Sequence, residues 1–215
     1  MATGPTIDDL PPDADDLDPR IAAAEAQERA DARRSLRARL TGGPLLRTVG
    51  RIDRAGMRWL RGQARSRRVT RAVRSYSHLG EHGAIWIAIG VGGALVDRRR
   101  RDDWVSGLAS VGAAYLVNTS LKQVARRPRP SFEDLPPLIP TPGPLSFPSS
   151  HSASSAAAVV AYGGLLPRTP LAVAASTMAI SRVHLGVHYP SDIAIGALLG
   201  TGIARGAKTL RAKVG

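Results

Sequence analysis

Cysteine is absent from this 215-residue chain, which excludes disulfide bridges and thiolate metal sites. Aromatic side chains are scarce, Phe, Trp and Tyr making up 4% of residues against a hydrophobic total of 43%. The apolar content is therefore mostly Ala, Val, Leu and Ile, which suits helix packing through small residues better than an aromatic-rich soluble core. Acidic residues are also in deficit, 17 against 30 Lys and Arg, for a formal charge of +13. That excess points to an anionic partner: nucleic acid, an anionic membrane surface or a phosphorylated substrate. No nucleic-acid-binding module is recognisable and aromatics for base stacking are few, so nucleic acid is not expected. No apolar core follows a basic start, so the N-terminus does not read as a signal peptide.

What is present divides sharply along the chain. Residues 1–20 crowd Asp8, Asp9, Asp13, Asp15, Asp16 and Asp18 among prolines. Too few large apolar side chains are there to offset the entropy of ordering, which predicts a disordered tail. Residues 21–41, rich in Ala, Arg and Glu, read as a solvated helix or a helix-prone linker. Over 45–61, Leu45, Val49, Ile52, Gly56 and Leu60 share one helical face with Trp59 beside them, while Arg47, Arg51, Arg54, Arg58 and Arg61 line the opposite face. The pattern predicts a basic amphipathic helix at a membrane interface with anionic lipids, a surface helix on the protein's own body being the alternative.

From about residue 83 come five apolar stretches, 83–96, 104–121, 152–166, 170–183 and 191–204, with charges such as Arg98 to Arg101 kept to their ends. Several fall short of the roughly 20 residues of a clean span. Five in succession, rich in Gly and Ala, nevertheless favour an all-α integral-membrane bundle of about five spans over a soluble all-α domain. The expected division is a tail over 1–42, an interfacial segment over 43–75 and a membrane-embedded domain over 76–215.

Three polar interruptions break the apolar half. Lys122 closes the second stretch, and Arg129 follows beyond the helix-stopping Pro128, with Arg126 and Arg127 beside it. A Pro-rich loop then delivers Ser149, Ser150 and His151 to the start of an Ala-rich helix. Free backbone N–H groups at a helix N-terminus bind anions; a plain N-cap at Ser149 or Ser150 is the simpler explanation, but it leaves His151 unaccounted for. The third interruption runs Ser181-Arg182, then His188, Pro190 and Asp192. Pro190 suits the first position of the last helix, and a carboxylate on one imidazole nitrogen makes the other a better nucleophile. An up-and-down topology brings all three interruptions to one end of the bundle. Two histidines, an aspartate and at least three cations together suit a phosphoryl group.

In order and spacing these residues resemble the three-part signature of the type 2 phosphatidic acid phosphatase family, which includes the vanadium haloperoxidases. Lys122 with Arg129-Pro130 resembles its first motif, Pro148-Ser149-Ser150-His151 its second, and Ser181-Arg182 through His188 to Asp192 its third. The resemblance covers roughly residues 75–205. It implies an all-α fold, usually with six membrane spans, and catalysis without metal or other cofactor. It further implies that His188 attacks phosphorus, Asp192 orients it, His151 exchanges protons with leaving group and water, and Lys122, Arg129, Ser149, Ser150 and Arg182 hold the phosphoryl oxygens. Ser150 departs from the family's usual glycine and puts a side chain at the pocket; His184 falls outside the motifs and reads as structural.

A lipid-linked phosphate is the implied substrate. The Ala-, Arg- and Gly-heavy composition suggests a GC-rich bacterium and its inner membrane, with a multi-pass chain. This ranks a polyprenyl-linked phosphate, such as decaprenylphosphoryl-phosphoribose or a polyprenyl diphosphate, ahead of phosphatidate or phosphatidylglycerol phosphate. The arginine-rich N-terminal third favours a cytoplasmic site, whereas Arg98 to Arg101 and the basic C-terminus favour the reverse. Alternatives are a lipid phosphotransferase or a vanadate-dependent peroxidase on the same scaffold, and a non-enzymatic basic membrane adaptor.

Overall fold

The computed structural model describes residues 43–63 and 66–214; the expected tail over 1–42 lies outside them. By internal contacts the chain divides between Val49 and Gly50. Of the first unit the structure describes Gly43 and the opening turn of a helix; the bundle and its site belong to the second, Gly50–Gly215.

Seven α-helices make up the described residues: α1 (Pro44–Gln63), α2 (Arg67–Leu79), α3 (Ala84–Val96), α4 (Arg101–Ala125), α5 (Ser150–Tyr162), α6 (Arg168–His184) and α7 (Pro190–Val214). Short 3-10 turns at Glu81–Gly83 and Arg98–Arg100 precede α3 and α4. Extended pairing among the described residues is limited to one bridge, Pro128 with Leu145. The all-α expectation holds, and each of the five apolar stretches coincides with one of α3 to α7. The expected boundary at 75/76 falls inside α2, because Ser66 caps a new helix by accepting from the Arg68 N–H.

α5 is the axis. It packs on α4, α6 and α7 and touches α3, and it turns inward Ala153, Ala157, Ala158 and Ala161, all buried. Such small side chains let neighbouring backbones approach closely. A Cβ on Gly196 of α7 would lie 2.6 Å from the Ser149 carbonyl oxygen, and one on Gly200 would overlap the Ala153 carbonyl. At the far end Trp86, Trp104 and Tyr162 fill the core, with the Trp86 indole N–H donating to Ser155 Oγ at 2.9 Å. Large aliphatic side chains face the other way: Leu95, Leu116, Val173 and Leu198 are exposed. The central helix is thus lined by small side chains, with bulky aromatics at one end of the core and bulky aliphatics on the outer surface.

Among the described residues no single helix is long and apolar enough to cross a membrane; α2 with Glu81–Val96, bent by 47°, passes that test as a pair. α1 turns a narrow strip inward. Asp53 and Met57 are fully buried, while Ile52 and Trp59 remain 61% and 68% exposed. The bundle grips the helix by a carboxylate beside the apolar face, leaving the bulky part of that face open.

Candidate active site

The loop after α4 builds the site. Arg126, at φ 47°, ends the helix in a left-handed turn. Beyond it the Arg129 N–H donates to the Pro144 carbonyl at 3.1 Å and the Ser146 N–H to the Arg127 carbonyl at 2.8 Å. This clip holds Arg129 over the cavity, where its Nε donates to Gly143 O at 2.7 Å and its Nη1 to Val187 O at 2.8 Å. Lys122 Nζ donates to Ser146 O at 3.1 Å, leaving further N–H bonds for a ligand.

A cavity of about 260 Å³ opens between α4, the Glu81–Gly83 turn and this loop. Lys122, Arg129, Ser150, His151, Arg182 and His188 line it together, though 66 residues separate the first from the last in sequence. A larger cavity of about 610 Å³, near Arg100 and Arg211, contains none of the motif residues. The chemistry therefore favours the smaller one. Arg182 is buried, its Nη1 donating to Ser77 Oγ at 2.6 Å, while its Nε has no hydrogen-bond partner. A buried, unpaired guanidinium N–H beside an ammonium and a second guanidinium makes a donor set suited to an anion.

His188 occupies the short loop between α6 and α7 and is buried. Its Nε2 lies 3.4 Å from Arg129 Nη1. A guanidinium only donates, so Nε2 carries the lone pair and Nδ1 the hydrogen. Nδ1 lies 3.4 Å from Asp192 Oδ2, off-line enough to leave it without a directed hydrogen bond; the contact is chiefly electrostatic. Burial pushes the His188 imidazole down to about 4; Lys122 and Arg129 add to this, while Asp192 opposes it. On the opposite wall His151 Nε2 meets the Ser77 carbonyl at 3.2 Å. That oxygen only accepts, so His151 holds hydrogen on Nε2 and keeps Nδ1 for proton exchange.

Two motif residues stand behind the wall. Asp192 is fully buried and accepts from the Tyr189 N–H at 2.9 Å. Ser149 does not face the cavity as a phosphate donor was expected to: its Oγ accepts from the Ser152 N–H at 3.4 Å and its own N–H goes to Asp192 O at 3.1 Å. It is the N-cap of α5, and the free N–H groups of that first turn belong to Ser150 and His151. Ser150 Oγ donates to Asn118 Oδ1 on α4 at 2.8 Å, so the hydroxyl that replaces the family's glycine is tied to the neighbouring helix. His184 Nε2 lies 3.5 Å from Thr70 Oγ1, outside the residues that line the cavity.

Two residues near the site, Ser77 and Asp53, were not expected from sequence, and Arg127, noted there only as a neighbour of Arg129, links Asp53 to the site. Ser77 of α2 clamps both Arg182 and His151. Arg127 donates from Nη1 to Asp192 Oδ1 at 2.8 Å and from Nη2 to Asp53 Oδ2 at 2.7 Å. Asp53 reaches in from α1. Its signal in the sequence was slight: it is the sole acid in Pro44–Gln63. Among the described residues no group of three His, Asp or Glu side chains is arranged to hold a metal ion.

Residues 103–214 match the family model described as the PAP2 superfamily. The chain is 39% identical over 128 residues to the decaprenylphosphoryl-5-phosphoribose phosphatase of Mycolicibacterium smegmatis, covering 60% of this chain and 71% of the relative. It is 32% identical over 139 residues to phosphatidylglycerophosphatase B of Bacillus subtilis, covering 58% and 66%. Its fold is similar to that of a transmembrane PAP2-type phosphatidylglycerolphosphate phosphatase from Bacillus subtilis, with a TM-score of 0.63 and 26% identity over 83% of this chain and 92% of that one. It is also similar to Aquifex aeolicus LpxE, with a TM-score of 0.64 and 20% identity over 73% and 94%.

Proposed function

Because the chain belongs to the PAP2 superfamily and is a lipid phosphate phosphatase of a bacterial membrane, we propose that it hydrolyses a polyprenyl-linked sugar phosphate of the decaprenylphosphoryl-phosphoribose kind through a phosphohistidine on His188. The observation that carries the mechanism is the convergence of the His151 and His188 imidazoles with Lys122, Arg129 and Arg182 on one cavity. The His188 Nε2 lone pair attacks phosphorus, the bond to the sugar oxygen breaks, and His151, entering the step as the imidazolium with a second hydrogen on Nδ1, delivers that proton to the departing alkoxide. Water then attacks the phosphohistidine while His151 takes its proton, releasing inorganic phosphate and restoring His188. Lys122, Arg129, Arg182 and the first-turn N–H groups of α5 stabilise the charge on the phosphoryl oxygens throughout. Fixed cations supply what a metal would supply elsewhere, so no metal is required.

The bundle spans the inner membrane about five times: α2 with α3 as one bent crossing, then α4, α5, α6 and α7. α3 and α5, each about 20 Å long, are short of a hydrocarbon core of roughly 30 Å. α2 completes the first of these, and α5 is shielded from lipid by the helices around it. The outward-facing aliphatics of α3, α4, α6 and α7 supply the lipid surface. α1 lies at the interface, its open Ile52 and Trp59 in the acyl boundary and its arginines among anionic head groups.

Phosphatidylglycerol phosphate is the second candidate, since that activity is in the names of a similar Bacillus subtilis sequence and a similar Bacillus subtilis structure. The test is phosphate release by detergent-purified protein without added metal, on a polyprenyl-linked phosphoribose, a polyprenyl diphosphate, phosphatidylglycerol phosphate and phosphatidate, with His188→Ala alongside. Release is expected to be fastest from the phosphoribose lipid and absent in the variant. Faster release from phosphatidylglycerol phosphate would reverse the substrate ranking; activity in His188→Ala would remove the phosphohistidine.

A further inference from the structure

Asp53 is a carboxylate at 1% exposure on a helix otherwise charged only by arginines. A buried carboxylate survives in a fold only with its oxygens satisfied, and here both are. Oδ1 accepts from the Ser191 N–H at 2.8 Å, and Oδ2 from Ser191 Oγ and Arg127 Nη2, each at 2.7 Å. Arg127 is the bridge: its other terminal nitrogen donates to Ser191 Oγ at 2.7 Å and to Asp192 Oδ1 at 2.8 Å. Its guanidinium also lies 4.0 Å over the Tyr189 ring, which fixes its plane. Asp192 in turn faces His188 Nδ1. One cation thus serves two buried carboxylates, and a continuous line runs Asp53, Arg127, Asp192, His188.

We propose that Asp53 is a positioning residue for the phosphoryl-accepting histidine: by holding Arg127 it sets how far Asp192 can polarise His188. With Asp53 in place, the guanidinium is anchored at both ends and holds Asp192 against His188 Nδ1. Without that anchor, or without Arg127 itself, Asp192 is no longer held to face the imidazole, and His188 becomes a weaker nucleophile. A plain tether of α1 would need only the bonds to Ser191; the bond to the guanidinium that Asp192 uses is what a tether leaves unexplained. Asp53 lies outside the segment matched to the family, so its motifs do not provide for it. The inference rests on the phosphohistidine mechanism above.

The test compares full-length wild type with Asp53→Asn, Asp53→Glu, Arg127→Gln and His188→Ala in detergent. It reads kcat, KM, and inhibition by orthovanadate and by inorganic phosphate. Vanadate takes a fifth ligand from the nucleophilic nitrogen, whereas phosphate needs only the cation cradle, so the pair separates nucleophile from pocket. Asp53→Asn and Arg127→Gln are each expected to lower kcat about 10- to 100-fold, the usual range for a partner that orients a reacting group. They should weaken vanadate by a similar factor, and leave KM and phosphate inhibition within about threefold; Asp53→Glu should recover much of the loss. Wild-type kcat and vanadate inhibition in either neutral variant would overturn the inference. So would equal weakening of vanadate and phosphate, the mark of a loosened pocket. If Asp53→Asn does not fold, Arg127→Gln, which leaves Asp53 on Ser191, decides alone. Vanadate inhibition that survives in His188→Ala would instead overturn the phosphohistidine itself, and this inference with it.

Discussion

His188 shows how burial can help a nucleophile. A free imidazole is half protonated near 6.5, and a protonated nitrogen has no lone pair to offer phosphorus. In the loop between α6 and α7, burial brings this ring down to about 4, with Lys122 and Arg129 on the same side of the balance and Asp192 against them. Since the folded value lies below the ordinary one, His188 is neutral and competent throughout the neutral range and is lost as pH falls through about 4. A histidine-ring NMR titration of the free enzyme should therefore show one resonance, missing in His188→Ala, with its midpoint near 4; a midpoint near 6.5 would refute the burial argument. The motif residues were legible in the sequence because phosphoryl chemistry admits few substitutes for an ammonium, a guanidinium or an imidazole. Ser149 was read as a phosphate donor because an N-cap and an anion site share one sequence pattern. Asp53 and Ser77 were not legible, since their roles arise from an approach across the bundle: Ser191 lies 138 residues beyond Asp53.

Among the helices, the contact between α5 and α7 decides whether the site is assembled. Ser152 Oγ donates to the Ile193 carbonyl at 2.7 Å, and the Ser149 N–H to Asp192 O at 3.1 Å; both need the two backbones almost in contact. Gly196 and Gly200 permit that approach. Gly200→Ala is expected to destabilise the protein by roughly 1–3 kcal/mol, the usual cost of overpacking, and to lower turnover by displacing Asp192. Gly202→Ala, two residues on and with no atom within 4 Å of its new Cβ, should be neutral or slightly stabilising, because Ala is the better helix former. Thermal unfolding in one detergent checks the pair; equal melting temperatures would show that the close approach is not needed. The helices themselves were legible from the five apolar stretches. α2 was not: its turns carry Arg67, Arg68, Arg71 and Arg74, and its hold on α6 rests on few contacts, such as the Tyr76 hydroxyl donating to the Ala174 carbonyl at 2.7 Å.

At the scale of the whole bundle the question is which ends share a side of the membrane. Asp53 bonded to Ser191 joins the middle of α1 to the start of α7 at the site end. Arg211 Nη1, 2.7 Å from Asp103 Oδ1, joins the end of α7 to the start of α4 at the other. On the five-crossing arrangement proposed above, with the bent α2–α3 pair as the first crossing, the loop 126–149 and the end of α1 fall on one side. The turns at Asp97–Arg100 and Pro167–Arg168 and the C-terminal basic run then face the other. The native chain has no cysteine, so a single introduced thiol is its only target for a maleimide. Gly62→Cys and Glu133→Cys should react with a membrane-impermeant maleimide in vesicles of one orientation, and Arg99→Cys, Thr169→Cys and Lys213→Cys in vesicles of the opposite orientation. Each position is exposed in the fold, so a failure to label reports the membrane and not burial. Labelling of Glu133→Cys and Thr169→Cys from the same side would mean that α5 does not cross. The short central helix would then have to be re-entrant, and the motif-bearing loops would meet by a different path through the bilayer.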